Sequence, residues 1–160
     1  MKTGFKTGSF IEAMNAMEDI GTSYNVEVSV FELEGANGKT YYQINPWDKN
    51  TLTKSINPAL EQHDGYSTLP SDGSRLIAQY HYGPNYGSQP STPGPVGGGG
   101  NIPGSIGSDY IFANRHNVPV YHVSSTDVYY IRGGFFSDAI GSTKIGNAND
   151  FINGRILKRH

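Results

Sequence analysis

Residues 25–44 read NVEVSVFELEGANGKTYYQI, and the fold class turns on how they are read. Val26, Val28 and Val30 alternate with Glu27, Ser29 and Phe31, the period of two of a half-buried strand. GANG (35–38) is turn chemistry, because Asn and Gly tolerate the left-handed backbone of a tight reversal. KTYYQI (39–44) returns as a second strand. Strands joined this tightly pair antiparallel.

Upstream, SFIE (9–12) is a capping box: Ser9 can cap a helix and Glu12 can reach back. Phe10, Met14, Met17 and Ile20 recur at helical spacing, which predicts a helix over 9–20 that stops at Gly21. Glu12, Glu18 and Asp19 interrupt the apolar residues, so the segment does not read as a signal peptide. No stretch approaches the ~20 apolar residues of a membrane span.

Downstream, residues 45–74 carry several turn signals and room for one short helix near Pro58–His63. RLIAQYH (75–81) reads as a short buried strand. Of the 25 residues in 83–107, 14 are Gly or Pro, so this segment reads as a long loop without a core of its own. Its GGGG (97–100) is not a phosphate loop, because no Gly-Lys-Ser/Thr follows; it reads as a hinge or lid. Ser108 or Asp109 can then cap a short helix with Ile111, Phe112 and His116 near one face. VPVYHVS (118–124) and DVYYIRG (127–133) are two further strands about a turn. Residues 133–160 read as an irregular polar tail with a last helix near DFINGRILKRH.

Hairpin-joined strands with few, segregated helices predict an α+β domain with a mixed or antiparallel sheet. At 160 residues the chain reads as one domain. A net charge of −2 argues against nucleic acid as the partner, although GRILKRH (154–160) is locally basic. With no cysteine, disulfides, thiolate zinc sites and a cysteine nucleophile are excluded.

Three polar residues stand at the edges of these elements: Glu27 among valines, His81 at a strand end, and Asp109 at a helix start. Singly, each has an ordinary explanation: a solvent-facing carboxylate, a strand-end histidine, a helix cap. Their order along the chain is more informative. EVSVFELEGANGKTYY, IAQYHYG and GSDYIFANRHNVPVYHVSSTDVYYI together resemble the JAB/MPN (JAMM) metallo-isopeptidase group. The likeness is to its JAB-like domains in Rhs-type and other polymorphic bacterial toxins.

The resemblance implies a JAB/MPN (deaminase-like) arrangement and hydrolysis of a peptide or isopeptide bond by a zinc-bound water. By that resemblance Glu27 would be the general base, and His81 and Asp109 would be zinc ligands; Tyr80 and Tyr82, flanking His81 on its strand, are the candidate substrate contacts. It also implies export within a larger effector or by a specialised secretion system. The expected partners are a cognate immunity protein or a protein or peptide substrate, with no nucleic acid and no membrane.

The chain departs from the pattern in two places. His-x-His is required where His81-Tyr82-Gly83 stands, and the serine three residues before Asp109 is Ile106. Candidates to fill the missing ligand are His63, His116 and His122. Loss of one ligand predicts a divergent metal site, impaired in zinc binding.

Two other readings compete. A hydrolase of another class, a nuclease or NAD-glycohydrolase, would gather His116, His122, Arg115 and Arg132 in a cleft away from Glu27. A binding module without chemistry would use the tyrosines at 41, 42, 80, 82, 86, 121, 129 and 130 to line a peptide groove.

Overall fold

The computed structural model describes residues 5–24, 27–45, 69–83, 112–113, 115–132 and 143–160. The expected helix near 58–63, the Gly/Pro segment beyond Gly83, His63 and Asp109 lie outside the described residues.

The strands are β1 (Phe5–Thr7), β2 (Val28–Glu34), β3 (Thr40–Ile44), β4 (Arg75–Tyr82), β5 (Val120–Val123), β6 (Asp127–Ile131) and β7 (Thr143–Asn147). They form one sheet in the order β1-β3-β2-β4-β5-β6-β7. Every pair is antiparallel except β4 with β5. With helices α1 (Phe10–Tyr24) and α2 (Ala148–Ile152), this is an α+β fold on a mostly antiparallel mixed sheet.

The β2–β3 hairpin closes as its sequence dictates. Gly35 and Lys39 pair across the turn, and Gly38 takes φ 78°, a left-handed value that suits glycine. Ser9 caps α1 by accepting from the Glu12 amide at 3.2 Å. The helix does not stop at Gly21 but runs on to Tyr24. The reason is tertiary. A methyl group on Gly21 would stand 2.2 Å from the Tyr82 ring, so the bare backbone is what admits Tyr82 against the helix.

Two cores result, one on each face of the sheet. On the first, Ala13, Met14 and Met17 of α1 pack on Val28, Val30, Tyr42, Ile44, Tyr80 and Tyr82. Each methionine is fully buried, worth about 1.5–3 kcal/mol apiece. On the second, Phe31 and Leu33 meet Phe112, Val118, Val120 and Ile131, with Phe31 stacked on Phe112 at 5.8 Å.

Three elements depart from the sequence reading. Glu27 immediately precedes β2 rather than lying inside it. β1 pairs with β3, a strand too short to show periodicity. The segment read as an irregular tail contains β7; the expected last helix is present as α2 but lies earlier, capped by Asn147, whose side chain accepts from the Asp150 amide at 2.8 Å.

Candidate functional site

Along the second face the apolar residues give way to polar ones at the Gly83 end of β4. The register sets Ser29 opposite His81, His81 beside His122, and His122 opposite Tyr129. A row of polar side chains therefore crosses four strands. Ser29, Gln79, His81 and His122 are all buried. Buried polar groups must find partners, and these do. Asn45 donates to Ser29 Oγ at 2.7 Å and Gln43 donates to Asn45 at 2.9 Å.

At the centre, His81 Nε2 and His122 Nδ1 lie 2.6 Å apart, with the rings edge to face. Gln79 Oε1 stands 3.3 Å from His81 Nδ1. The direction of these bonds depends on the tautomer of each ring. With Gln79 Oε1 as acceptor, His81 carries its proton on Nδ1 and accepts on Nε2, so His122 donates from Nδ1. A neutral His122 then holds its lone pair on Nε2.

Gly83 lies next to that nitrogen. Pairing of Val28 with Tyr82 brings Glu27 alongside Gly83. A Cβ on Gly83 would stand 3.2 Å from Glu27 Oε1, 3.2 Å from His122 Cε1 and 3.9 Å from His122 Nε2. The carboxylate and the imidazole are thus packed into the space a side chain at 83 would take. Glu27, His81 and His122 lie in one cluster at the Gly83 end of β4.

Of the expected site residues, Glu27 and His81 are brought together through His122 and Gly83. Tyr80 and Tyr82 are not on this face. Strand alternation turns both toward α1, where they are buried in the first core. His116 sits elsewhere, 4.5 Å from the Phe112 ring, its imidazole lowered by burial and by the Arg115 charge. Arg115 and Arg132 are exposed, whereas His122 is buried beside Glu27.

Among the described residues the two imidazoles, as arranged, do not share a zinc; Asp109 lies outside the described residues. Two nitrogens on one tetrahedral zinc, each at about 2.0–2.1 Å, stand roughly 3.3 Å apart. The His81 and His122 nitrogens face each other at 2.6 Å, and the other nitrogen of His81 faces Gln79. No group of three His, Asp or Glu able to hold a metal occurs among the described residues.

A buried carboxylate, unremarked in the sequence, lies on the α1 face. Glu32 accepts from Tyr80 Oη at 2.6 Å, Lys158 Nζ at 3.1 Å and His160 Nε2 at 3.1 Å. Burial pushes its carboxyl upward, but the bonds from His160 and Tyr80 and the Lys158 charge outweigh it and hold the group at about 2. Tyr80 moves the other way, raised well above its usual range by burial and by the Glu32 charge. No family model matches the chain, and neither the curated proteins nor the solved structures gave a match.

Proposed function

We propose that this chain is an effector-type bacterial domain on a JAB/MPN-like metallopeptidase scaffold, impaired in zinc binding, whose histidine face binds a peptide or protein substrate class with little or no hydrolysis. The observation that carries this reading is the 2.6 Å contact between His81 and His122. It commits to each other the two imidazoles that would otherwise be ligands.

The strand geometry supports the lineage. The strand that follows Glu27 runs antiparallel beside the one carrying His81, and position 83, where the family pattern needs its second histidine, lies against Glu27. His122 lies against the position from which a second histidine side chain would project.

Magnitudes favour binding over turnover. Zinc, where bound in such sites, ionises the attacking water. Without it, Glu27 and His122 offer general acid–base catalysis, worth about 10²–10⁴-fold. Enzymes typically supply 10⁶-fold or more. Glu27 and the imidazole pair are better suited to meeting the amide and carbonyl groups of an extended peptide.

Zinc analysis of the purified chain, alongside a cell-toxicity assay of Glu27→Gln, tests the proposal. The expected result is well under one equivalent of zinc after desalting, with any toxicity unchanged by Glu27→Gln. One tightly held zinc per chain, with toxicity abolished in Glu27→Gln, would establish a working metalloenzyme and overturn it.

A further inference from the structure

We infer that the α1 face of the sheet carries a peptide-binding groove for an extended segment of the pattern Ile-x-Lys-x-His, filled in this chain by its own residues 156–160. The argument begins with how that segment arrives. Helix α2 ends in a Schellman motif: Arg155 N donates to Asp150 O at 2.8 Å, Gly154 N donates to Phe151 O at 3.1 Å, and Gly154 takes φ 73°. This reversal sends the chain back over the sheet.

From there the segment behaves as a ligand laid on a preformed surface. Among the described residues no strand pairs with 156–160. Its contacts alternate: Ile156, Lys158 and His160 turn inward, while Leu157, at 91% exposed, and Arg159 turn out. That period of two is how extended peptides are read, by pockets for alternate side chains.

Three pockets receive them. The first is a notch over Gly146, where a Cβ would stand 2.3 Å from Ile156 Cδ1. The second is a cation cage. Lys158 Nζ lies 5.1 Å from the Phe10 ring centre and 5.6 Å from that of Tyr42, and it donates to Tyr42 Oη and Glu32. The third holds His160 between Glu32 and Tyr121, whose hydroxyl bonds His160 Nδ1 at 2.8 Å and accepts from Arg159 N at 2.8 Å. With Tyr121 at Nδ1 and Glu32 at Nε2, both ring nitrogens of His160 are engaged in the groove.

The base of the groove belongs to the sheet, not to the segment. The Glu32 side chain is 7% exposed and is tied to Tyr80 independently of residues 156–160. A buried anion at the floor of an aromatic-walled groove selects a basic occupant.

The test uses the full chain. Lys158→Ala combined with His160→Ala vacates the second and third pockets. Fluorescence anisotropy then follows a labelled peptide of sequence Arg-Ile-Leu-Lys-Arg-His. The vacated chain should bind it at least tenfold more tightly than the parent, whose own segment competes. Adding Glu32→Gln, or replacing the peptide's lysine by alanine, should remove at least tenfold of that affinity. Equal binding by parent and vacated chains, or indifference to both the Glu32 and the peptide-lysine changes, overturns the inference. Lys158→Met alone carries the same comparisons should the double variant fail to fold. The readout involves neither zinc nor Glu27, so its failure leaves the histidine face untouched.

Discussion

The two faces of β2, β4 and β5 handle buried polar groups in opposite ways. On the α1 face, Glu32 is a full charge met by a lysine, an imidazole and a phenol. On the other, His81 and His122 are bonded to each other, with Gln79 beyond. A carboxylate surrounded by donors is locked as an anion and serves as an anchor. An imidazole pair bonded nitrogen to nitrogen shares one proton between two like groups and needs no full charge to do so. Among the described residues the strongly shifted acid is Glu32, on the α1 face. Glu27 lies on the histidine face, beside Gly83 and His122.

The largest test of this contrast is Glu32→Ala. It leaves Lys158 and His160 without their anion, and breaking a buried pair costs about 3–5 kcal/mol. Urea unfolding should show that loss. A cost below about 1 kcal/mol would mean that the α1 face is not anchored by charge.

Acid is the next lever. Glu32 is held at about 2, below the 4.5 of an unperturbed glutamate. A depressed carboxyl contributes stability that is fully present above the unfolded value and is lost as pH falls through the folded one. Stability should drop by roughly 2–3 kcal/mol between pH 5 and pH 2. Urea midpoints across that range should fall in the parent chain and fall distinctly less in Glu32→Gln.

On the histidine face, Gly83→His combined with His122→Ala returns an imidazole to position 83 and removes the ring that fills its space. Zinc affinity, measured by calorimetry, should rise at least tenfold over the parent. No gain would detach the site from the lineage proposed for it. The smallest effect is expected of Gly83→Ala. Its methyl would meet Glu27 and His122 at 3.2 Å, so they must shift by a few tenths of an ångström. Stability should change by less than about 1 kcal/mol. The ring-proton NMR signals of His122 should move while those of His160 stay fixed.

Much of the architecture was legible before any coordinates. The 25–44 alternation and its GANG turn specify β2 and β3, because both signals are local. The Ser9 cap marks the start of α1 for the same reason. Its end was misread because the fate of Gly21 depends on Tyr82, sixty-one residues away in sequence. β1 was invisible because three residues cannot display a period. Part of the site was also readable: alternation puts Glu27, Ser29 and Phe31 on one face, and Gln79 with His81 on one face. Tyr80 and Tyr82 belong by the same rule to the other face, a consequence the resemblance obscured.

The choice among His63, His116 and His122 could not be made from spacing. His122 joins His81 only because β5 runs parallel to β4 in a register that sets the two residues side by side. Glu32 looked like one more strand glutamate. Its partners Lys158 and His160 lie more than a hundred residues further along, delivered by the turn at Gly154. Local sequence settled which segments are strand, helix or turn, because periodicity and caps act over a few residues. Tertiary structure alone decided which imidazole meets which carboxylate, because strand register and chain reversal are set by packing between segments that no local pattern connects.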